Sequence, residues 1–190
     1  MEELVHAHLP TQWGNFHMRA FESGINEMPH LALVHPDLNP SEEVTVRIHS
    51  ECMTGDVFAS QRCDCGEQLH IALDKIQSAK GVLIYLRQEG RGIGLINKLK
   101  AYQLQDTGLD TIEANEALGF AADLRTFSEA IEILSALGIK RVKLLTNNPD
   151  KMSSLVQAGF EVSREPIQIA AHAFNEAYLN TKKVRMGHQL

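Results

Sequence analysis

Several features that would assign a function class are missing from this chain. It has three cysteines, Cys52, Cys63 and Cys65, and an odd number cannot form a fully paired disulfide framework. No apolar run approaches the length of a membrane span, and the N-terminus, MEELVHAHLPTQW, lacks the charged-then-apolar pattern of a secretory signal. Both absences predict a soluble, cytoplasmic protein without a membrane partner. A basic excess is missing too. With 18 Lys and Arg against 24 Asp and Glu, the net charge is −6, which argues against a nucleic-acid binder that relies on a broad basic face. Repeats, low-complexity tracts and linkers are absent, so the 190 residues, 44% of them apolar, read as one domain spanning 1–190.

What is present is concentrated. All three cysteines lie in HSECMTGDVFASQRCDCGEQ. Structural zinc sites close with four protein ligands, whereas catalytic ones keep three and leave the fourth position to water. The C-x-C step in a polar loop therefore predicts one zinc ion on Cys52, Cys63 and Cys65. Buried inert thiols, or a four-ligand structural site completed by a remote His, are the competing readings. Charge is uneven as well. Residues 85–105 carry Arg87, Arg91, Lys98 and Lys100 against Glu89 alone, which suits a small polyanion such as a nucleotide, or else an ordinary solvated face.

Alternation predicts strands over 14–21, 30–35 and 44–50, and a buried strand over 81–87. Helical spacing covers 67–79, 95–106, 127–137 and 150–159, a strand 141–146, and an extended segment 160–169. The terminal AHAFNEAYLNTKKVRMGHQL reads as a helix and then a tail. Strands alternating with helices after residue 66 predict an α/β fold of three-layer αβα type. Its mixed sheet would have a more antiparallel N-terminal portion.

Three strand-to-helix junctions carry candidate chemistry. In QEGRGIG, glycines at 90, 92 and 94 permit close backbone approach to a ligand. Leu95 stands where the dinucleotide fingerprint needs glycine, and no Gly-Lys-Ser/Thr follows. In LLTNNPDK, Asn148 is a helix cap, Pro149 a first helical residue, and Lys151 a first-turn cation that runs against the helix dipole unless it shares an anion. In GFAADLRTFSEA, a Thr126–Glu129 capping box would start the helix after Thr126. Asp123 and Arg125 would then lie in extended chain, where residues two apart point the same way.

Taken in order, RIHSECMTGDVFASQRCDCG, RQEGRGIGLINKLKAYQLQD, TIEANEALGFAADLR and LLTNNPDK closely resemble bacterial GTP cyclohydrolase II, the enzyme that opens riboflavin biosynthesis. The resemblance implies zinc ligands at Cys52, Cys63 and Cys65. It implies GTP contacts at Arg47, Ile48, His49, Ser50, Glu51, Gln68, Glu89, Gly90, Arg91, Thr111, Thr146 and Lys151. Asp123 matches the family's proton acceptor, Arg125 its proposed nucleophile, and Tyr102 a tyrosine beside the reacting purine carbon. It further implies Mg²⁺ on the GTP phosphates and a homodimer. One departure shows: many relatives read Asp-Glu-Arg-Asp where this chain has Asp123-Leu124-Arg125-Thr126.

The implied reaction converts GTP to a diamino-ribosylamino-pyrimidinone phosphate, formate and pyrophosphate. An enzyme stopping at the formamidopyrimidine, or a non-catalytic zinc and nucleotide binder, are the alternatives. His49-Ser50-Glu51 matches the H-x-E of zinc nucleobase deaminases, but Pro-Cys-x-x-Cys does not follow. Three thiolates make a zinc-bound water less acidic, so a neighbouring acid or base is needed, with Glu51 and Tyr102 as candidates. Tyr102 also shares a helical face with Leu95 and Leu99, which on spacing alone makes it the end of a core stripe.

Overall fold

The computed structural model describes residues 1–23, 28–169, 175–185 and 187. The chain divides into two compact units. The first is Met1–His49, Leu69–Arg87 and Phe127–Ile167; the second is Ser50–Gln68, Gln88–Thr126 and Gln168–Leu190.

The first unit is built on a seven-stranded sheet. Its strands are β1 (Glu3–Thr11), β2 (Gly14–Phe21), β3 (His30–Val34), β4 (Glu43–Ser50), β5 (Val82–Leu86), β6 (Arg141–Leu145) and β7 (Glu161–Glu165). They lie in the order β1-β2-β3-β5-β4-β6-β7. Pairing is antiparallel for β1/β2, β2/β3 and β3/β5, and parallel for β4/β6 and β6/β7. This is the mixed α/β sheet with an antiparallel N-terminal portion that the sequence predicts. Strand β1 is the exception, because most of its residues are exposed and Leu4 and Val5 face solvent. A strand without a buried face has no alternation to read.

Helices α5 (Ser128–Ala136) and α6 (Pro149–Gln157) bring Ala130, Ile133, Leu134 and Leu155 into one core with Val44, Val46, Ile48, Val82, Ile84 and Leu144. The start of α5 differs from the capping-box expectation. Phe127 is its N-cap residue, with no side-chain cap bond. The Phe127 ring is buried in the same core, and the helix begins one residue later than the sequence predicts. Helix α6 opens as predicted, on Asn148 accepting from the Asp150 N–H at 2.8 Å with proline in the first turn.

The second unit contains α1 (Met53–Asp56), the first residues of α2 (Cys65–Ser78), a 3-10 turn at Glu89–Gly92, α3 (Gly94–Gln105), α4 (Thr111–Ala117) and α7 (Glu176–Arg185). A capping box opens α4: Asp110 accepts from the Ile112 and Glu113 N–H groups, and Glu113 accepts from the Asp110 N–H. Arg185 of α7 pairs with Asp110. Helix α7 realises the predicted terminal helix, while 170–174, 186 and 188–190 lie outside the described residues. Among the described residues, no helix is long and apolar enough to cross a membrane.

Candidate metal centre and anion sites

The three cysteines arrive from separate local structures. Cys52 is the N-cap residue of α1, where its N–H donates to Asp56 Oδ2 at 2.9 Å. Cys63 lies in the loop before α2, and Cys65 is the first residue of that helix. Their sulfurs lie within 4.8 Å of one another, and Cys52 and Cys63 are 3.7 Å apart. Tetrahedral zinc with Zn–S near 2.3 Å requires about 3.8 Å between sulfurs, a spacing that the Cys52–Cys63 pair already has. A Cβ at position 55 would sit 3.0 Å from the Cys63 sulfur and 3.3 Å from the Cys52 sulfur, so only glycine leaves this cradle open. Among the described residues no fourth His, Cys, Asp or Glu joins the group.

The thiols share charge unequally. Hydrogen bonds from Cys63 and Cys65, with help from Lys98, drive the Cys52 thiol far below its ordinary value. The same bond to Cys52 pushes Cys63 up to about 11, and Cys65 is raised well above the usual thiol range by both neighbours.

Around the thiols stands a shell of charged and hydroxyl groups. Lys98 of α3 donates to the Cys52 sulfur at 3.1 Å and to Glu89 Oε1 at 2.8 Å. Glu89 in turn accepts from the Met53 N–H at 2.6 Å and the Gly90 N–H at 2.7 Å. The Tyr102 hydroxyl is 3.4 Å from Thr54 Oγ1, which is 3.7 Å from the Cys52 sulfur. Burial raises the Tyr102 pKa, so the phenol keeps its proton at neutral pH. The core stripe predicted for α3 is not formed: Leu99 is 44% exposed, whereas Lys98 and Ala101 are the buried residues. Tyr102 therefore belongs with the thiol cluster and its polar partners rather than with an apolar face.

A second cluster in this unit centres on Arg125. Its Nε donates to both Asp123 oxygens, at 2.9 and 3.2 Å, its second terminal nitrogen to Oδ2 at 2.5 Å, and its first to Ser50 Oγ at 3.3 Å. Ser50 donates to Gln88 Oε1 at 3.1 Å, and Gln88 Nε2 donates to the Thr126 carbonyl at 2.7 Å. Burial opposes the charge on both Asp123 and Arg125. Their mutual bonding outweighs it, holding the carboxyl below and the guanidinium above their ordinary values. Arg91 adopts a left-handed backbone (φ 61°) in the 3-10 turn. Its two terminal nitrogens are buried without a hydrogen-bond partner among the described residues, with the Tyr178 ring 5.8 Å away. At φ 94°, Gly92 lies against Leu124, whose N–H donates to the Arg91 carbonyl. Leu124 is 48% exposed, so the departure at this position puts an apolar side chain toward solvent and leaves the Asp123–Arg125 pair intact.

Other candidates fall in the first unit. Arg47 donates to the Leu145 carbonyl at 3.0 Å, and His49 stacks on Tyr85 with centroids 5.5 Å apart. Lys151 donates to the Ile48 carbonyl at 2.8 Å and lies over the Phe127 ring. Thr146 Oγ1 accepts from the Asn148 N–H at 3.0 Å. Lys151 is thus buried rather than a solvated first-turn cation. In the second unit Gln68 donates to Asp64 at 2.5 Å, and Thr111 opens α4. Sequence reasoning assigned no role to Thr54, Gln88 or Tyr178, and counted Lys98 only among the cations of residues 85–105. For Lys98 the signal was available, since its i, i+4 spacing to Tyr102 places both on one face of α3.

Comparison with known proteins finds relatives over most of the chain. Residues 2–166 match the family described as GTP cyclohydrolase II. The riboflavin biosynthesis protein RibBA of Chlorobium phaeovibrioides is 51% identical over 192 residues, covering 100% of this chain and 47% of that protein. RibBA of Bacillus cytotoxicus is 52% identical, covering 96% and 46%, and that of Bacillus cereus 53%, covering 96% and 46%. The chain thus spans about half the length of these curated relatives. Among solved structures, RibBX of A. baumannii, a two-domain 3,4-dihydroxy-2-butanone 4-phosphate synthase, aligns with a TM-score of 0.51 at 21% identity, over 88% of this chain and 40% of that one. That likeness concerns the fold alone. On the match over residues 2–166, the chain belongs to the GTP cyclohydrolase II family.

Proposed function

We propose that the chain is a zinc-dependent GTP cyclohydrolase II. It would hydrolyse GTP to 2,5-diamino-6-(5-phospho-D-ribosylamino)pyrimidin-4(3H)-one, formate and pyrophosphate, as the first step of riboflavin biosynthesis. The observation that supports this most is a three-thiol group, with no fourth His, Cys, Asp or Glu joining it among the described residues, inside a family match. A closed structural site would use four ligands; three leave a position for water. Zinc held by Cys52, Cys63 and Cys65 would lower the pKa of a bound water and so supply a nucleophile, one less acidic than at a histidine site because of the three thiolates. Two waters are consumed in opening the imidazole ring and releasing formate, and a third in releasing pyrophosphate. The reading extends to one domain over residues 1–190, a cytoplasmic homodimer, and Mg²⁺ on the phosphates.

The chain's own residues divide the work. Tyr102, protonated at neutral pH, holds the formyl oxygen or passes a proton in the second hydrolysis. Arg125, oriented by Asp123, neutralises charge at the α-phosphate. We favour this clamp over a covalent nucleophile because a guanidinium holds its proton far above neutral pH, and Asp123 raises that hold further here once burial has been overcome. Arg91 offers buried donors with no hydrogen-bond acceptor among the described residues, which suits a phosphate oxygen. Arg47, Ile48, His49, Ser50, Glu51, Gln68, Glu89, Gly90, Thr111, Thr146 and Lys151 are proposed as the other GTP contacts on the family pattern. Product analysis of zinc-loaded protein incubated with GTP and Mg²⁺ tests the whole reading. GTP bound without turnover would reduce the protein to a nucleotide binder.

Two narrower outcomes are expected. Tyr102→Phe keeps the ring and its packing against Arg62 and removes only the hydroxyl. Ring opening should continue while formate release slows, so that a formamide-bearing pyrimidine accumulates in chromatograms of the reaction. Normal formate release would remove Tyr102 from the chemistry. Arg91→Ala should weaken GTP binding by about 1.5–3 kcal/mol, the worth of a charge-assisted contact, as read by titration calorimetry. Unchanged affinity would remove Arg91 from the GTP contacts.

A further inference from the structure

We infer that Lys98 is a positioning and charge-compensating residue for the metal centre, acting on the Cys52 thiolate rather than on substrate. The inference rests on reading the thiols as a metal site. Three thiolates around a divalent ion carry three negative charges against two positive, and this surplus weakens the ion's pull on a bound water. A cation in hydrogen-bond contact with one sulfur withdraws part of that density. Lys98 Nζ is such a cation, 3.1 Å from the Cys52 sulfur and only 9% exposed as a residue.

Its placement is built from several directions. Gly90 leaves room for the Lys98 stem, since a Cβ there would come within 3.1 Å of the Lys98 Cβ. Glu89 Oε1 accepts a second Lys98 hydrogen bond at 2.8 Å, which aims the ammonium. The Tyr102 ring, 5.8 Å away, presents its face to the same charge. Glu89 does not spend its charge on Lys98 alone, because backbone N–H groups of Met53 and Gly90 also bind its two oxygens. The ammonium therefore retains attraction to spare for sulfur. Met53 adjoins Cys52, so one Lys98–Glu89 pair holds both the charge and the backbone of this ligand in place.

The competing account is that Lys98 merely neutralises Glu89 and touches sulfur by proximity. Cobalt substitution separates the two, because thiolate-to-cobalt charge-transfer bands report electron density on sulfur and are insensitive to a distant ion pair. In Lys98→Met, loss of the donor should shift these bands to lower energy. Zinc affinity, read by chelator competition, should fall by about 10–100-fold, the usual cost of removing an outer-shell partner. Lys98→Gln keeps a neutral donor and should shift the bands less, and it provides the same test if Lys98→Met does not fold. Bands at the wild-type energy in a folded variant, with wild-type zinc affinity, would overturn the inference. Wild-type protein that takes up no cobalt or zinc would instead show the metal reading itself to be wrong, and the role of Lys98 with it.

Discussion

Replacing any one of Cys52, Cys63 or Cys65 by serine should abolish ring opening and reduce bound zinc from about one ion per chain to none after dialysis. The three sulfurs lie within 4.8 Å of one another, so removing one leaves two ligands for an ion that needs at least three from the protein. A serine hydroxyl stays protonated at neutral pH and cannot replace a thiolate donor. Pyrophosphate release, at the opposite end of the substrate, is expected to survive in part. Elemental analysis and separate assays for formate and pyrophosphate would report both results. Full turnover by protein shown to be metal-free would remove zinc from the mechanism.

Arg125→Ala should lower the rate of pyrophosphate release by about 10²–10³, the cost of losing one preorganised donor. No covalent guanylyl adduct should form on the wild-type residue. Rapid quenching with labelled GTP, followed by peptide mass analysis, distinguishes the mechanisms, and an adduct on Arg125 would establish the nucleophile. Stability should change as well, because the Asp123 carboxylate would lose its bidentate partner. The pH dependence has a definite sign. The folded Asp123 pKa is depressed, so its stabilisation is fully present above the unfolded carboxylate value of about 3.9. It is lost as pH falls through the lower folded value. Asp123→Asn should therefore flatten part of the acid limb in urea midpoints measured against pH.

Much of the fold was legible because its residues repeat with the period of the element they form. Strands β2 to β6 alternate or run apolar, and α5 buries Ala130, Ile133 and Leu134 at helical spacing. The cysteine cluster was legible for a different reason, since three thiols with no fourth are chemically informative wherever the chain runs. Asn148 and Pro149 marked a helix start because capping is a local matter.

The remaining assignments depended on distance in space. The start of α5 falls one residue beyond the predicted one, with Phe127 as its N-cap and its ring buried in the core. Helix α3 lies where the sequence placed it, but spacing alone would make Tyr102 the end of an apolar stripe with Leu95 and Leu99, whereas Lys98 is buried and Leu99 is exposed. Periodicity shows which residues share a face and not what that face meets. That Lys98 reaches a sulfur 46 positions away, and that Gln88 ties Ser50 to the Thr126 carbonyl, depends on side chains brought together only by the folded chain. Local pattern was enough for most of the elements and for the reactive groups, but not for β1, α1 or α4; which groups touch follows only from folding, because contact energies fall off within a few ångströms and sequence separation does not measure that distance.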